Sequence, residues 1–433
     1  MIYFHYYVYF LICAIPALLV TGPFLSDLAV SIIAIIVATS ILKKKNYFIF
    51  KNKYFIIFIA FNMFLIARSI FAYDPIFSLK VTLFYFRFGL FSIGIAYCFY
   101  LLNKKIINKF YYCLIITFII VILDGYCQFI FGYNSLGYTR FHEFRISGFF
   151  GPELILGSYV SKIFPMVMVS FLILEENKKY FFFKVSLLIL SSVILVLISG
   201  ERAAFFSIVL FSFIFLVLTD LIKFKFKILI LITLIFSLIS VTIFSEKIRL
   251  RFLDQTIYAF YGGKNYSTQE EQDSALKIAK SKKQLVIFTH DTHAHYVSAY
   301  RMFLDNKFFG KGVKMFRKLC SKKEFEYDEW SCTSHPHNTY LQLLAETGIF
   351  GFLLIFTIFI LCLVEIIKIF FKKIFNKKYS VDNINICLYG FFIIYLWPLM
   401  PTGNFFNNWL SIIPFFTSGF FLYRNNKINF NES

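Results

Sequence analysis

The sequence predicts an all-α fold: a polytopic bundle of about 12 transmembrane helices, with a large outer loop that contains short helices. Three observations lead to this prediction. Of the 433 residues, 59% are hydrophobic, and the mean hydropathy is +0.71. Apolar runs repeatedly reach the roughly 20 residues that a helix needs to cross a bilayer. Short lysine-bearing connectors separate many of these runs.

The apolar runs divide the chain into three parts. Residues 1–245 are predicted to form nine spans, residues 246–346 a large outer loop, and residues 347–433 three further spans. The first run, from Tyr6 to Val20, lacks a basic leader and a small-residue cleavage site, so we interpret it as a retained helix and not as a signal peptide. The predicted spans cover residues 4–22, 24–42, 54–72, 76–101, 110–132, 156–174, 182–199, 203–222, 228–245, 347–367, 385–400 and 406–423.

The lysines of the connectors predict the orientation of the bundle. Every second connector is basic, whereas the alternate connectors near Thr21, Ala72, Gly200 and Thr402 almost lack lysine. Cytoplasmic loops are enriched in Lys and Arg, so both termini are expected to face the cytoplasm. The same rule accounts for most of the formal net charge of +20, and no nucleic-acid partner is predicted.

Two longer segments are then expected outside the membrane: Tyr133 to Leu154 and the large loop. Within the large loop, Asp273 to Lys283 and Ala294 to Leu304 have helical patterns. Turns are expected at Gly262, Gly263, Gly310 and Gly312.

Two cysteines fall in the large outer loop. In an oxidising compartment, Cys320 and Cys332 would close a disulfide that contributes up to about 3 kcal/mol. Two free thiols are the alternative. A zinc site is disfavoured, because these thiols and the nearby histidines show no standard ligand spacing.

Charged residues within the predicted spans lie mainly toward the outer face. Charges inside a membrane are costly and usually functional. A transporter would instead concentrate such residues near the midplane, in halves related by symmetry. Snorkelling or ion pairing is the alternative for each single charge. The outer-half residues are Asp27, Arg68, Lys80 and Asp124, with Arg87 deeper and Glu365 near the inner end.

Three arginines belong to the outer connectors. Arg140 and Arg145 lie in RFHEFRISGFFGPELILGSY, and Arg202 lies in the short connector ISGERAAFF. A guanidinium stays charged at any relevant pH and can hold phosphate oxygens in a bidentate way. These residues therefore fit a lipid diphosphate at the membrane surface, with an interfacial anchor as the alternative for Arg202.

The stretch SHPHNTYLQLLAETGIFGF lies where the polar loop gives way to the last group of spans. Pro336 is expected to hold the preceding residue in an extended conformation. Thr339 and Gln342 resemble a capping box at a helix start. Gly348 is expected to end or kink this helix.

His337 would then lie just ahead of a helix N-terminus. The partial positive charge of that terminus disfavours imidazolium and keeps the ring neutral near pH 7, while the free amides can bind an anion. A neutral imidazole beside an anion site is a candidate general base. A structural role is the alternative for a single histidine in this position.

Together these residues resemble the O-antigen ligase and polymerase superfamily. The order His337-Asn338, nine residues, Gly348, two residues and Gly351 matches its signature, and SGERAAF and RISGFFGPELILGSY resemble two of its other outer segments. With this resemblance, we assign catalytic roles to His337 and Arg202. Expected substrate-binding residues are Arg145, Arg140, Arg301, Glu153 and Asn338.

The resemblance implies a glycosyltransferase of a bacterial inner membrane. It implies an undecaprenyl diphosphate-linked glycan donor, a lipid A-core acceptor and a periplasmic site. Arg202 and Arg145 would stabilise the departing diphosphate, and His337 would deprotonate the acceptor hydroxyl. The outer loops contain no Asp-x-Asp motif, so we expect an inverting transfer without a metal or other cofactor.

Several alternatives stay open at this point. The family also uses an arginine in the large loop, for which Arg301 and Arg317 are both candidates, and the role of His295 is undecided. A polymerase that extends a lipid-linked glycan would need the same residues. A transporter of lipid-linked oligosaccharides and a glycan-binding scaffold are rivals of other classes. Membrane lipids are the remaining expected partners.

Overall fold

The computed structural model describes residues 2–44, 52–174, 178–256, 289–375 and 380–425. Across these ranges the chain is all-helical and contains no strand, as the sequence predicts. The predicted helix from Asp273 to Lys283 and the turns at Gly262 and Gly263 lie outside the described residues.

The helices of the described ranges follow the apolar runs. They are α1 (Ile2–Leu18), α2 (Pro23–Lys44), α3 (Lys53–Ile70), α4 (Pro75–Thr82), α5 (Phe86–Leu101), α6 (Lys104–Phe131), α7 (Leu156–Leu174), α8 (Lys178–Ile198), α9 (Arg202–Leu218), α10 (Phe224–Phe244), α11 (Glu246–Arg249), α12 (His290–Asp305), α13 (Phe316–Leu319), α14 (Thr339–Phe375), α15 (Asn383–Tyr395) and α16 (Asn408–Arg424). A 3₁₀ helix, Gly148–Glu153, precedes α7, and a π-helical turn, Leu250–Asp254, follows α11.

Eight helical stretches in the described ranges are long and apolar enough to cross a membrane. They are α2, α3, α4 with α5, α6, α7, α8, α10 and α14. The predicted runs 4–22, 203–222 and 385–400 correspond to the shorter apolar helices α1, α9 and α15. The run 406–423 corresponds to the 17 residues of α16. Eight of the predicted spans are thus supported, and the total of about 12 stays a prediction.

The run predicted over residues 385–400 is too long by five residues, because α15 ends at Tyr395. Pro398 and Pro401 follow, and proline lacks the N–H that a continued helix requires. The segment after α15 therefore does not continue as a helix, and it contacts residues 334–338, hereafter the histidine loop.

Two hydrophobic cores hold the molecule together. The larger core runs through the helix bundle, where α7 packs against α6, α9 and α15. The smaller core joins residues 289–338, hereafter the loop segment, to the ends of α3 and α14. Its buried residues are Ala72, Ala299, Met302, Met315, Phe316, Leu319, Cys320, Phe325 and Ala345.

A backbone junction fastens the loop segment to the kink of α14. Gly310 and Gly348 have φ angles of 66° and 65°, and the predicted kink at Gly348 is confirmed. A Cβ on Gly348 would lie 2.2 Å from the carbonyl oxygen of Phe308, so only glycine permits this approach. Three backbone hydrogen bonds of 2.8 Å cross the junction, from Lys311 N to Ala345 O, from Gly312 N to Glu346 O, and from Ile349 N to Lys307 O.

Several charges within the bundle have structural partners. Arg87 forms an ion pair of 2.7 Å with Asp27, which also accepts a hydrogen bond from Asn408. Arg68 donates to the carbonyl of Gly310 at 2.8 Å and so supports the junction. Ion pairing, the alternative considered for single charges, therefore applies to Arg87 and Asp27.

Cys320 and Cys332 form the predicted disulfide. The bond joins the end of the smaller core to the residues just before the histidine loop, and it closes a loop with a sequence separation of 12. The cross-link therefore restricts the part of the loop segment that leads into Ser334 and His335.

Replacing both Cys320 and Cys332 by Ser should lower the stability of the loop segment by up to about 3 kcal/mol, because the unfolded segment regains conformational freedom. Limited proteolysis of the protein in detergent should then cut this segment sooner. Cys113→Ser, which removes an exposed free thiol, is the control. Equal cleavage rates in the double variant and the control would contradict the stabilising role.

Candidate functional site

Three arginines from separate segments meet around one carboxylate. Arg145 lies in the loop between α6 and α7, Arg202 is the first residue of α9, and Arg251 lies in the π-helical turn. An Nη2–Oε1 distance of 4.0 Å separates Arg145 from Glu201. Burial and then the charges of Arg202 and Arg145 lower the pKa of Arg251 to about 10. The three guanidinium groups therefore lie close enough to repel one another.

Neutral groups anchor these arginines. Each guanidinium has five N–H donors, and the anchoring contacts occupy only some of them. The contacts run from Arg145 Nη2 to Leu154 O (2.6 Å), from Arg202 Nη1 to Thr256 Oγ1 (3.1 Å), from Arg251 Nε to Gly200 O (3.1 Å) and from Arg251 Nη1 to Gln255 Oε1 (2.6 Å).

A glycine turn between α8 and α9 allows the close approach of Arg145. Gly200 has a φ of 75°. A Cβ there would lie 2.8 Å from the carbonyl oxygen of Phe144 and 2.9 Å from Cγ of Arg145. The loop that carries Arg145 can therefore pack directly on the turn only because this residue lacks a side chain.

Glu201 links the arginines to α7. Its carboxylate accepts hydrogen bonds from Gly157 N (2.6 Å), Ser158 N (3.1 Å) and Ser158 Oγ (2.6 Å), so it caps the start of α7. Burial raises the pKa of Glu201, whereas the Ser158 hydrogen bond and the charge of Arg145 oppose that shift. Three guanidinium groups act on one another here beside a single carboxylate, and the excess positive charge suits a ligand with at least two negative charges.

The histidine loop precedes α14. His337 has a φ of 55°, a left-handed conformation that costs a non-glycine residue about 1–3 kcal/mol and is concentrated at functional sites. Its carbonyl oxygen accepts a hydrogen bond of 2.9 Å from Thr402 N. Its ring centroid lies 4.2 Å from that of His335 and 5.5 Å from that of His295. Three imidazoles thus lie side by side.

His335 has a supporting role in this loop. Its Nε2 lies 3.2 Å from the carbonyl oxygen of Thr402, which can only accept, so Nε2 carries the proton. Its Nδ1 accepts from Ser334 Oγ at 2.8 Å. Burial and then the charge of His337 lower the pKa of His335 to about 4. His335 is therefore neutral, with both ring nitrogens engaged.

His337 has a ring that is available for chemistry. Burial lowers its pKa, so the imidazole is neutral near pH 7. The sequence analysis also predicted a neutral ring, but it attributed the neutral state to the helix N-terminus. In the structure, burial lowers the pKa of His337. Among the described residues its ring nitrogens have no hydrogen-bond partner. Of the two histidines in this loop, His337 is the one able to accept a proton.

The capping box predicted at Thr339 and Gln342 is wrong by one residue. Asn338 is the N-cap of α14, and its Oδ1 accepts from the backbone N–H groups of Tyr340 and Leu341 at 3.0 and 3.1 Å. Its Nδ2 donates to the carbonyl of Pro398. Asn338, and not Thr339, caps this helix, because its side-chain amide accepts from the free N–H groups of the first turn and also donates to a second segment.

Gln342 belongs to a buried polar network. Its Nε2 donates to Glu346 Oε2 at 3.1 Å and to Asn404 Oδ1 at 3.0 Å, and its Oε1 accepts from Phe405 N at 2.9 Å. This network fixes the segment after α15 against α14. The same segment carries Thr402, which holds the histidine loop.

A small cleft of mixed polar and apolar lining, partly open to its surroundings, lies between α7, α9, the start of α14 and residues 400–405. Its wall includes Thr339 and Thr402, whose hydroxyl groups are 2.9 Å apart, and Thr402 also contacts the histidine loop. Ala203, the residue after Arg202, lines another part of the wall. The cleft therefore extends from Thr402, which contacts the histidine loop, to the first turn of α9, the helix that begins with Arg202.

The remaining predicted site residues lie in different surroundings. Arg140 donates to the carbonyl groups of Gln128 and Phe129 at the end of α6, where a cation stabilises a helix C-terminus. Glu153 is exposed at the end of the 3₁₀ helix. Neither side chain takes part in the contacts that hold Arg145, Arg202 and Arg251, although Glu153 directly precedes Leu154, whose carbonyl accepts from Arg145.

The two candidate arginines of the large loop, Arg301 and Arg317, have different surroundings. Arg301 donates to the carbonyl of Glu326 and stacks over Tyr327, so it holds the loop segment together. The charge of Arg317 acts on His335, which places Arg317 on the histidine side of the site. His295, which the sequence left undecided, lies beside His337.

Sequence reasoning missed Arg251. It stands in EKIRLRFLD directly after a predicted span, where it was grouped with the other basic residues of the large loop. Its position at the membrane end of that loop was the available signal. No set of three or more His, Cys, Asp and Glu side chains in the described part of the chain could hold a metal ion.

Comparison with known proteins links this site to a family. Residues 186–356 match the model of a protein family described as O-Antigen ligase. The matched range contains Arg202, Arg251 and His337, and Arg145 lies ahead of it. A search of curated proteins finds no match. The family match confirms the resemblance given by the sequence motifs.

Gly200→Ala is expected to destabilise the protein more than Gly132→Ala. Both residues have a positive φ, but a Cβ has open space at Gly132 and overlaps Phe144 and Arg145 at Gly200. The extra cost should be about 1–3 kcal/mol, the usual penalty of overpacking. Thermal unfolding of both variants in detergent measures it, and equal losses would show that the turn tolerates a side chain.

Proposed function

We propose that this protein, whose residues 186–356 match the O-Antigen ligase family model, is a glycosyltransferase that moves a glycan from undecaprenyl diphosphate to a lipid A-core acceptor. We place the reaction at the periplasmic face of a bacterial inner membrane. The observation that carries the proposal is one cleft whose wall includes Thr402, which binds the backbone of His337, and Ala203, which follows Arg202. A proton acceptor and an excess of cations are the two groups that this transfer needs.

The orientation supports a site on the periplasmic side. Glu201 and Arg202 follow a lysine-poor connector at Gly200, and Thr402 belongs to another lysine-poor connector. Arg251 donates to Gly200, and Thr402 donates to His337. The contacting segments are therefore those that the positive-inside rule assigns to the side opposite the cytoplasmic termini.

The arginines would stabilise the leaving group. As the bond between the anomeric carbon and the phosphate oxygen breaks, its electron pair goes to undecaprenyl diphosphate and negative charge grows there. Arg145, Arg202 and Arg251 are fixed before the reaction by neutral partners, so they need not reorganise as this charge develops. Their excess charge suits the two negative charges of a diphosphate diester.

His337 would activate the acceptor. A hydroxyl oxygen of the acceptor attacks the anomeric carbon from the face opposite the diphosphate, and its proton passes to a nitrogen of the neutral imidazole. The left-handed backbone of His337 and the supporting ring of His335 orient that imidazole. Attack from the opposite face inverts the anomeric configuration. No step requires a metal ion.

Purified His337→Ala should lose about 10²- to 10⁴-fold in turnover with a lipid-linked glycan donor and a lipid A-core acceptor, because the base is gone. It should still bind the donor, because the arginines remain. Arg251→Met should instead weaken donor binding. Arg249→Met, two residues away, removes an exposed arginine paired with Glu246 and is the matched control. Full turnover in His337→Ala would rule out the proposed base and favour a scaffold.

An O-antigen polymerase is the second candidate, because extension of a lipid-linked glycan needs the same base and the same diphosphate contacts. In a strain that lacks the gene, loss of all surface O-antigen is the expected result for a ligase. Survival of a single repeat on the lipid A-core would show a polymerase instead. The lipid-linked species that accumulate in the strain, separated by mass spectrometry, check either result.

A further inference from the structure

Lys162 is a charged residue within the membrane-spanning helix α7 that the mechanism above does not use. It is partly buried and lines the cleft. Among the described residues it forms neither a hydrogen bond nor an ion pair. Lysines in such positions almost always pair with another group or mark a substrate site.

The charge of Glu201 acts on Lys162, but Glu201 forms neither a hydrogen bond nor an ion pair with the ammonium. Its two carboxylate oxygens already accept three hydrogen bonds from Gly157 and Ser158, and Arg145 lies 4.0 Å away. The ammonium therefore keeps its three N–H donors for another partner.

The surroundings of Lys162 indicate the chemistry of that partner. Ser158 and Lys162 are four residues apart and share a face of α7. Hydroxyl groups complete the polar lining and could bind the hydroxyls of a sugar. They belong to Ser158, Ser161, Ser207, Thr339 and Thr402. A cleft with several hydroxyls and one cation suits a polar headgroup that carries an anionic oxygen.

We propose that the ammonium of Lys162 binds an anionic oxygen of the lipid-linked donor inside the cleft. Lys162 then acts as a fourth cation, one helical turn along α7 from the residues that bind Glu201. Arg145, Arg202 and Arg251 bind the diphosphate from the connectors between helices. This inference rests on the proposed function. The oxygen belongs either to the diphosphate or to an acidic group on the first sugar.

Two ligands test the proposal and show whether the anionic oxygen belongs to the diphosphate or to the sugar. The binding of undecaprenyl diphosphate without a glycan, and of the glycan-linked donor, is measured for the wild-type protein and for Lys162→Met in detergent. Loss of a charged hydrogen bond should lower the affinity for the affected ligand by roughly 10- to 100-fold. Weaker binding of both ligands assigns the oxygen to the diphosphate. Weaker binding of the glycan-linked donor alone assigns it to the sugar.

Control variants separate binding from folding. Lys80→Met removes an exposed lysine of the bundle and should bind both ligands as the wild type does. Lys162→Arg keeps the charge and should restore most of the affinity that Lys162→Met loses. Thermal unfolding of each variant shows that it is folded, and Lys162→Gln replaces Lys162→Met if the methionine variant does not fold.

Unchanged affinity of folded Lys162→Met for both ligands, beside a wild-type protein that binds them, would overturn this inference and leave the proposed function intact. A wild-type protein that binds neither ligand and makes no product would instead overturn the proposed function, and this inference with it.

Discussion

The carboxylate of Glu201 is the contact on which the candidate site depends. It caps the start of α7, stands directly before Arg202, and lies beside Arg145. Without a negative charge here, three guanidinium groups would repel one another in a partly dry environment. With only this one carboxylate, their repulsion is reduced but not cancelled. The cluster is therefore stable enough to form and still short of negative charge.

The two ends of the site are built in different ways. The arginines come from three segments, and hydrogen bonds to neutral oxygens hold them. The histidines come from two segments and are partly buried, and this desolvation lowers the pKa of each ring. One environment preserves charge and the other suppresses it. A cleft lined mainly by hydroxyl-bearing and apolar residues lies between them.

The sequence predicted much of this arrangement for identifiable reasons. Long apolar runs predicted the helices, the two cysteines of one loop predicted the disulfide, and the motif around His337 predicted the similarity to O-antigen ligases that residues 186–356 show. Contacts between distant segments leave no such local trace. Arg251 looked like one of many basic loop residues, Lys162 was hidden in an apolar run, and only the fold reveals that α15 ends early and sends Thr402 to the histidine loop.

The segment after α15 does two things at once. It lines the cleft, and Thr402 binds the backbone of His337 and the ring of His335. Any outward swing of this segment that would admit a bulky headgroup must also break those hydrogen bonds. Entry through this wall would therefore disable the base temporarily, and closure would rebuild it. If the wall stays shut, substrates must arrive from the lipid or the loop side, where the base remains assembled throughout.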